Sequence, residues 1–367
     1  MTASQFWPKA QIAELLLGKV PIVDVRAPIE FAEGALPGST NLPILDNEQR
    51  AQVGTCYKQS GREAALKLGY ELVSGDNKLK KIEAWSQFFR NHSSAIVTCF
   101  RGGLRSQIAQ TWLGEIGIHK QRLEGGYKFG RNFLSEIIQT QSGKISLIVV
   151  SGATGAGKSL LLKEVSKTSN VIDLEGLAKH RGSAFGGFVH PQSTQIDFEN
   201  QLGLRLLELQ QTSANKIFIE DESRMIGKCA QPELLFNNLR SSPLVVIDEP
   251  IESRIETTFN EYILGSPVGK GISQDGLAIF ASFQKSLFSI SKRLGGLRYS
   301  EVKGDLLNSE KHYQDEFNLA SNRIWIEKLL TYYYDPLYQK SLDKKSNSII
   351  FKGNRQEVFE FLKNSTN

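Results

Sequence analysis

The fold of the second half of the chain is decided by residues 145–159, which read ISLIVVSGATGAGKS. Residues 145–150 are mostly apolar and β-branched, a composition that predicts a buried strand. This strand leads into residues 152–159, which match the phosphate-loop pattern G-x-x-x-x-G-K-[ST]. A helical pattern follows at 160–167. Because the pattern lies between a strand and a helix, the sequence predicts an α/β domain of the P-loop NTPase type.

Five residues of this loop are candidates for binding a diphosphate, namely Gly152, Gly155, Gly157, Lys158 and Ser159. Backbone N–H groups of such a loop cradle phosphate oxygens, the lysine neutralises their charge, and the serine hydroxyl can ligate Mg²⁺. The pattern binds phosphates and not a base, so it indicates a di- or triphosphate without specifying ATP. No neighbouring stretch predicts an adenine pocket.

Carboxylates that follow two predicted strands are candidates for holding Mg²⁺ beside this loop. The strand 216–219 runs into the acidic residues 220–222, and the strand 244–247 is followed by the acidic pair 248–249. Oxygen ligands suit Mg²⁺, although a carboxylate at a strand end can also be simply solvated. We expect Asp221 or Glu222 to be the metal partner, with Asp221 preferred, and the acidic pair 248–249 competes for that role.

Further elements place the phosphate loop in a larger domain. Strands are also predicted at 171–174 and 348–352, and the pattern becomes helical from about residue 280. Residues 139–144 are polar and small and show no periodicity, which predicts a domain boundary. We therefore predict a P-loop domain over residues 145–367 with a helical C-terminal part.

The first half of the chain also alternates strands with helices. Apolar runs at 20–25 and 95–98 predict buried strands. The long connection between them has helical composition at 63–67 and 78–89, so we interpret it as a helical insertion. Strands that alternate with helices indicate a parallel sheet, and we predict an α/β domain over residues 10–138.

A cysteine lies directly after the second of these strands. Residues 99–106, CFRGGLRS, precede a helical pattern at 107–113. A loop in this position directs backbone N–H groups inward and forms an anion nest, to which Arg101 and Arg105 add positive charge. Such surroundings hold a thiolate, the reactive form of the side chain. We predict that Cys99 is a nucleophile, although a lone cysteine is more often a buried structural residue.

The composition is that of a cytosolic protein. Three cysteines among 367 residues make no disulfide framework and indicate a reducing compartment. Cys229 is interpreted as structural, and Cys56 as structural or as a resolving thiol. The N-terminus does not match a secretory signal, and no run of about 18 apolar residues predicts a membrane span.

A net charge of +5 and a pI of about 8.9 suit an anionic partner without requiring one. We expect a monomer.

The first domain resembles the rhodanese family. Residues 24–31 (DVRAPIEF) and 34–43 (GALPGSTNLP) are similar to its opening signature, and residues 123–127 (LEGGY) to its closing one. The resemblance implies that Cys99 carries sulfur or selenium. Common rhodaneses have four residues between the cysteine and the second loop arginine, whereas five separate Cys99 from Arg105. That spacing is also the signature of cysteine phosphatases, which therefore remain an alternative.

The order of the two domains is similar to that of the bacterial tRNA 2-selenouridine synthase family. The resemblance spans nearly the whole chain and is more specific than either domain signature alone. It is carried by four further segments: residues 54–59 (GTCYKQ), 173–186 (DLEGLAKHRGSAFG), 220–227 (EDESRMIG) and 333–338 (YYDPLY).

This resemblance implies a two-step modification of 2-thiouridine at the wobble position of tRNA. Geranyl diphosphate first alkylates the sulfur, and selenium from selenophosphate then displaces the geranylthio group. The P-loop with Mg²⁺ would stabilise the departing diphosphate. Cys99 would carry selenium as a selenyl-sulfide in the second step. We expect no tightly bound organic cofactor.

Several basic and aromatic residues are candidates for contacts with tRNA or with phosphates. His180 and Arg181 follow a predicted strand, and Arg224 lies in one of the segments quoted above. Residues 291–299 are basic with a flanking aromatic and could contact the RNA backbone. Residues 332–334 are three tyrosines that could stack on a base, although helical packing is the simpler interpretation.

Two other functions fit parts of the sequence. One is a rhodanese-like cysteine phosphatase with a regulatory nucleotide site. The other is a P-loop kinase whose inactive rhodanese module serves for docking. A phosphatase would act on a generic aryl phosphate without a selenium donor, and a kinase would turn over ATP.

Overall fold

The computed structural model describes most of the chain and divides it into two compact units. Unit 1 comprises residues 1–141 and 194–212, and unit 2 comprises residues 142–193 and 213–367. The residues that the structure describes are 5–183, 185, 191–212, 216–343 and 349–365.

Unit 1 is built on a five-stranded parallel sheet in the order β1-β5-β4-β2-β3. The central strand β4 is fully buried, and Cys99 follows it directly. The strands are β1 (Phe6–Trp7), β2 (Ile22–Asp24), β3 (Ser39–Asn41), β4 (Ile96–Thr98) and β5 (Arg122–Leu123). The helices are α1 (Ile12–Leu17), α2 (Pro28–Ala32), α3 (Asn47–Leu72), α4 (Gly75–Asn91), α5 (Leu104–Glu115), α6 (Gly126–Gln141) and, in chain order, α9 (Gln195–Gln210).

The insertion predicted as helical is confirmed as the helices α3 and α4. Helix α3 begins at a capping box in which the Asp46 carboxylate accepts a hydrogen bond from the N–H of Gln49, whose side chain accepts one from the N–H of Asp46. It is kinked at Gly61, where φ is +81°. Ala65 is its one fully buried residue, so α3 packs on the rest of unit 1 with a small apolar face.

Helix α9 belongs to unit 1, although the sequence-based boundaries assign residues 145–367 to the second domain. Its side chains Ile196, Leu204 and Leu207 pack in the apolar cluster formed with α1 and α6. Gly203 permits close approach to α6, because a Cβ there would lie 2.8 Å from the carbonyl oxygen of Leu134. The first break between units falls after Gln141, within the predicted boundary 139–144.

Unit 2 contains a second five-stranded parallel sheet, in the order β12-β11-β6-β8-β7. The strand order reverses at the central strand β6, which is the position where open α/β sheets bind ligands. The strands are β6 (Leu147–Gly152), β7 (Val171–Ile172), β8 (Ile217–Glu220), β11 (Leu244–Ile247) and β12 (Ile349–Gly353), with a separate hairpin of β9 (Met225–Ile226) and β10 (Cys229–Ala230).

The helices of unit 2 cover its sheet and form the predicted helical C-terminal part. They are α7 (Lys158–Val165), α8 (Leu174–Ala178), α10 (Glu233–Ser241), α11 (Ile251–Phe259), α12 (Gln274–Leu294), α13 (Gly296–Glu316), α14 (Asn322–Leu329), α15 (Asp335–Asp343) and α16 (Arg355–Asn364). Helices α11 to α14 enclose an aromatic core that includes Phe280, Phe283, Tyr313 and Trp325. No helix in the described part of the chain combines the length and the hydrophobicity that a membrane span requires.

Most predicted strands are confirmed with small shifts of their ends. The strand predicted at 244–247 has those bounds, and that predicted at 216–219 is β8. The strand predicted at 171–174 is wrong at its end, because helix α8 begins at Leu174 with Asp173 as its N-cap. Residue 348 of the last predicted strand lies outside the described residues, as do Ala184 and Gly186 of the 173–186 segment.

Candidate functional sites

The first candidate site is the loop between β4 and α5. The Cys99 side chain is buried, and its thiol donates a hydrogen bond of 3.2 Å to the hydroxyl oxygen of Ser106 in the first turn of α5. The Ser106 hydroxyl in turn donates to the carbonyl oxygen of Gly103 at 2.9 Å. The cysteine is therefore held by the helix that follows it.

The backbone of this loop is closed against residues 125–128. The carbonyl oxygens of Cys99 and Phe100 accept hydrogen bonds of 2.9 Å from the N–H groups of Tyr127 and Lys128. Gly102 has φ +65°, and a Cβ there would lie 2.5 Å from the carbonyl oxygen of Leu123. A glycine is therefore required at this position.

The N–H groups of the same loop are available to an anion. Within the described chain, the peptide N–H groups of Arg101, Gly102 and Gly103 donate no hydrogen bond to protein. Unpaired N–H groups at the start of a helix form the kind of nest that binds oxyanions. The Arg101 side chain is exposed at the rim of the loop, with its guanidinium 6.0 Å from the Phe100 ring.

Arg105 is fixed by a two-point ion pair with Glu30. Its two terminal nitrogens donate to the two carboxylate oxygens, one at 3.1 Å. Burial raises the pKa of Glu30, but the hydrogen bonds and charge of Arg105 outweigh this and hold the pKa below its usual value. Burial lowers the pKa of Arg105, and the interactions with Glu30 and with Cys99 raise it by more.

Arg122 is a second buried cation beside this loop, and sequence reasoning missed it. One terminal nitrogen donates to the carbonyl oxygen of Gly102 at 3.1 Å, while its Nε is buried and has no hydrogen-bond partner among the residues that the structure describes. Burial lowers the pKa of Arg122, and the nearby Cys99 raises it. The one feature of the sequence that could have indicated Arg122 is its position directly before the closing rhodanese signature at 123–127.

An apolar cleft of about 450 Å³ lies between α3 and α5 and reaches Arg105. Leu104, Ile108 and Trp112 line it from α5, one turn apart along the helix. The opposite wall comes from α3 and includes Leu66 and Tyr57, the latter from the 54–59 segment. The cleft thus offers apolar surface next to the cysteine loop.

The second candidate site is the phosphate loop between β6 and α7. Gly155 and Gly157 have φ near +80°, which side-chain-bearing residues rarely adopt. A Cβ on Gly155 would lie 2.5 Å from the carbonyl oxygen of Arg254, and one on Gly157 would lie 2.6 Å from a terminal nitrogen of Arg355. The loop is therefore enclosed by two arginines from distant segments.

The reactive side chains of the loop have partners within the protein. Lys158 Nζ donates to the carbonyl oxygen of Gly152 at 3.0 Å, and the Ser159 hydroxyl donates to the Glu175 carboxylate at 2.7 Å. The other oxygen of Glu175 accepts a hydrogen bond from the N–H of Gly182. These groups line a cavity of about 460 Å³.

The wall of this cavity carries both acidic and basic side chains, a mixture that fits a divalent cation together with an anionic ligand. Burial, with the neighbouring Glu175, raises the pKa of Glu222 to about 7. Burial and the same neighbour also raise the pKa of Glu220 well above its usual range. Within the described residues no three metal-binding side chains converge, so a cation would need ligands from the bound phosphates. Mg²⁺ is commonly held in that way, by one or two protein oxygens.

The predicted metal ligand Asp221 lies beside the loop strand. Its carboxylate accepts a hydrogen bond of 2.6 Å from the hydroxyl of Ser151, in β6. The described lining of the cavity includes Glu222 and Glu175 rather than Asp221. The sequence analysis did not identify Glu175 as a site residue. The feature that could have indicated it is its position within the 173–186 segment.

The structure brings two of the three predicted basic contacts to this cavity. His180 and Arg181 line it, and Arg181 donates to the carbonyl oxygen of Glu261 at 2.8 Å. Burial lowers the pKa of His180, and its buried Nδ1 has no hydrogen-bond partner in the described part of the chain. Arg224 lies apart, exposed in the turn before β9.

A small apolar cavity of about 20 Å³ adjoins the phosphate cavity. Both cavities are lined by Thr154, Ser183, Thr258 and Tyr262. The remaining lining is apolar or aromatic: Phe185, Trp325, Ile326, Leu329, Leu330 and Tyr334. Most of these residues belong to the helical C-terminal part.

The two other cysteines and the tyrosines at 332–334 have the surroundings of residues that support the fold. Cys229 is buried and its thiol donates to the carbonyl oxygen of Ser193 at 3.3 Å. Cys56 is half-buried in α3. Tyr333 is buried in the helical core, and Tyr332 and Tyr334 pack against it.

A cysteine loop on one parallel sheet and a phosphate loop on another define a two-domain rhodanese and P-loop protein. Models of both families match this chain. The rhodanese-like domain model covers residues 9–129, and the tRNA 2-selenouridine synthase AAA domain model covers residues 145–367.

Relatives are similar over nearly their full length. The tRNA 2-selenouridine synthase of Bdellovibrio bacteriovorus is 45% identical, covering 97% of this chain and 98% of that protein. The protein of the same name from Nitrosomonas europaea is 44% identical, covering 96% of each. The chain belongs to the tRNA 2-selenouridine synthase family.

Proposed function

We propose that this protein is a transferase that converts wobble 2-thiouridine of tRNA into 2-selenouridine through S-geranyl-2-thiouridine. The observation that carries the proposal is the presence of two candidate sites in one chain of this family, a cavity lined by Lys158 and a loop that holds Cys99. The names of the relatives support tRNA as substrate and 2-selenouridine as product.

The first step is the transfer of a geranyl group from geranyl diphosphate to the sulfur of 2-thiouridine. A carbon–sulfur bond forms as the carbon–oxygen bond to diphosphate breaks, and the charge of the leaving diphosphate grows. Loop N–H groups, Lys158 and Arg355 are placed to stabilise that charge. Ser159 and Glu175 would hold Mg²⁺, which supplies further positive charge to the diphosphate.

The apolar cavity beside the phosphate cavity supports a prenyl diphosphate over a nucleotide. It is enclosed by Trp325, Leu329 and neighbouring apolar groups. Removing a ten-carbon chain from water would contribute about 25 cal/mol per Å² of apolar surface buried. The cavity is small, so we expect these side chains to move when the chain binds.

The second step is the replacement of the geranylthio group by selenium. Cys99 acts as the nucleophile toward selenophosphate, in a loop whose free N–H groups suit an oxyanion. The geranyl chain of the substrate would lie in the apolar cleft beside Arg105. An apolar cavity beside each reactive loop is what a geranylated intermediate requires.

Contacts with tRNA are proposed for the exposed side chain of Arg224 and for Arg181 at the edge of the phosphate cavity. Cations that face solvent or a cavity neutralise backbone phosphates, so binding should weaken with salt. The net charge of +5 agrees with an anionic partner. We propose that one chain is sufficient for both steps.

The test is reconstitution with the purified full-length protein and 2-thiouridine tRNA. With geranyl diphosphate alone, mass spectrometry of the nucleosides should show S-geranyl-2-thiouridine, and subsequent selenophosphate should yield 2-selenouridine. Calorimetric titration should show geranyl diphosphate binding at least as well as ATP, with competition by diphosphate but not by adenosine. Tight ATP binding with steady hydrolysis and no affinity for geranyl diphosphate would favour a kinase instead.

A further inference from the structure

The cysteine loop has the spacing and contacts of a site that binds a phosphoryl group. Five residues separate Cys99 from Arg105, and Ser106 follows with its hydroxyl oxygen 3.2 Å from the Cys99 sulfur. The N–H groups of residues 101–103 have no protein acceptor within the described chain. A tetrahedral oxyanion centred above the sulfur would accept hydrogen bonds from such a loop.

Selenophosphate presents two atoms that a thiolate could attack, selenium and phosphorus. Attack at selenium would give the selenyl-sulfide that the family resemblance implies. In that product sulfur and selenium share a bond, so each is oxidised relative to a thiolate and a selenide. The electrons would have to reduce phosphorus or an external oxidant, and the proposed reaction supplies no oxidant.

We infer that Cys99 attacks phosphorus and forms a transient phosphocysteine, an inference that rests on the proposed selenation of tRNA. The sulfur–phosphorus bond forms while the phosphorus–selenium bond breaks, and selenium leaves with the electron pair as hydroselenide. Water then hydrolyses the phosphocysteine to inorganic phosphate and frees Cys99. No atom changes its oxidation state.

The released hydroselenide is the nucleophile of the second step. It attacks carbon 2 of S-geranyl-2-thiouridine, the carbon–sulfur bond breaks, and geranylthiolate leaves with the electron pair. The hydroselenide proton moves to N3 of the base, and geranylthiolate takes a proton from water. The apolar cleft beside Arg105 holds the geranyl chain within reach of the released selenium.

Two arginines are placed to bind the phosphoryl oxygens. Arg105 uses two N–H groups for Glu30, and the guanidinium has three more to donate. Arg122 is buried beside the loop, and its Nε–H has no acceptor within the described residues. Bonds from charged donors to an oxyanion are stronger than those between neutral groups.

Ser106 is a positioning residue for the sulfur. In the thiol form Cys99 donates to it, and in the thiolate form the Ser106 hydroxyl can turn from Gly103 and donate to the sulfur. That bond stabilises the thiolate when water displaces it from phosphorus. Hydroselenide leaves as a stable anion at neutral pH, so the first displacement needs no general acid. Alkyl phosphates, whose leaving groups need a proton, should not react.

The test uses the full-length protein and selenophosphate labelled with radioactive phosphorus, without tRNA. After a quench in alkaline detergent, in which a sulfur–phosphorus bond survives, the label should be found on the Cys99 peptide. The selenium and phosphoryl adducts have nearly the same mass, so mass alone does not distinguish them. The radioactive label and the response of the adduct to dithiothreitol do. Dithiothreitol releases selenium but not the phosphoryl group.

Two variants sharpen the measurement. Ser106→Ala should accumulate labelled Cys99 and slow phosphate release by about tenfold or more, as expected for loss of one stabilising donor. Ser94→Ala, an exposed serine of the same unit, should behave like the wild type. Release of hydroselenide in the first turnover should be unchanged in Ser94→Ala, which removes no contact of the cysteine loop.

Selenium without phosphorus on Cys99, lost with dithiothreitol, would overturn the inference while leaving the proposed function intact. Wild-type selenation without any labelled adduct, even in the Ser106→Ala protein, would also overturn it. If the wild-type protein does not convert geranylated tRNA with selenophosphate at all, the proposed function fails and this inference fails with it.

Discussion

Arg254 forms a two-point ion pair with Asp335 and connects the helical C-terminal part to the phosphate loop. Its terminal nitrogens donate to the two oxygens of Asp335, one at 3.2 Å, and its Nε donates to the carbonyl oxygen of Thr154 at 3.0 Å. The backbone carbonyl of Arg254 also lies against Gly155. Asp335 therefore holds Arg254 in place, and Arg254 in turn holds the phosphate loop in place.

Replacement of Asp335 by Asn should loosen the phosphate loop. Arg254 is buried, so the loss of its charged partner should lower the free energy of unfolding by about 2 kcal/mol, a value reduced by the partial exposure of Asp335. Geranylation should slow by about tenfold, since misplacing catalytic groups weakens transition-state binding. Urea denaturation and single-turnover geranylation measure the two effects. Unchanged geranylation in the destabilised protein would show that the loop does not depend on Asp335.

Replacement of Lys158 by Ala should impair geranylation far more than selenation of tRNA that is already geranylated. Lys158 is the fixed cation of the phosphate loop, and removal of one such group costs about a hundredfold in rate. Lys167→Ala, which removes an exposed lysine just after the same helix, is the matched control. Assays of each half-reaction decide, and equal losses in both would mean that the loop serves the whole cycle or the fold.

Replacement of Cys99 by Ser should abolish selenation and spare geranylation, so that S-geranyl-2-thiouridine accumulates. The reason is that Cys99 lies in the β4–α5 loop of unit 1, whereas the diphosphate groups line a cavity of unit 2. Cys56→Ser, at a half-buried cysteine, should retain both steps if that residue is structural. Nucleoside analysis of the tRNA measures both products, and normal 2-selenouridine from Cys99→Ser would contradict the prediction.

The ion pair of Glu30 with Arg105 should make stability depend on acid pH. The pKa of Glu30 is held below its usual value of 4.5, so the ionised carboxylate stabilises the folded state above that value. This contribution is lost as the pH falls through the lowered pKa. At neutral pH, Glu30→Gln should lower the free energy of unfolding by about 2 kcal/mol. The difference from wild type should shrink below pH 4.5 in urea titrations, and a constant difference would assign the effect to packing.

Elements with strong local patterns were predictable, whereas those that depend on long-range pairing were not. The buried strand β6 and the loop after it follow from apolar runs and glycine spacing. The edge strands β1 and β3 are two and three residues long and exist only because distant strands pair with them. Helix α9 packs with α1 and α6 of unit 1, and the order of elements along the chain does not indicate that contact.

The same limit applies to the candidate sites. Motifs identified Cys99 and Lys158 because the neighbouring residues define their geometry. Arg355 reaches Gly157 from a helix almost two hundred residues further along the chain, and Arg254 arrives from another helix. An isolated arginine has no sequence motif around it that marks a function. Side chains that reach a site from distant segments can therefore be identified only once the fold is known.

The cleft between α3 and α5 supplies the last prediction, which concerns how the second step recognises its substrate. Leu66 lines this cleft from α3, and Leu66→Trp should fill part of it. The wild-type protein should selenate S-geranyl-2-thiouridine tRNA with a kcat/KM at least about tenfold above that for S-methyl-2-thiouridine tRNA, because the longer chain buries more apolar surface. Leu66→Trp should remove most of that preference through KM while leaving the S-methyl substrate unaffected. Lys67→Trp, at the neighbouring exposed position, controls for the bulk of the new ring. Equal use of both substrates by the wild type would show that the cleft does not hold the chain.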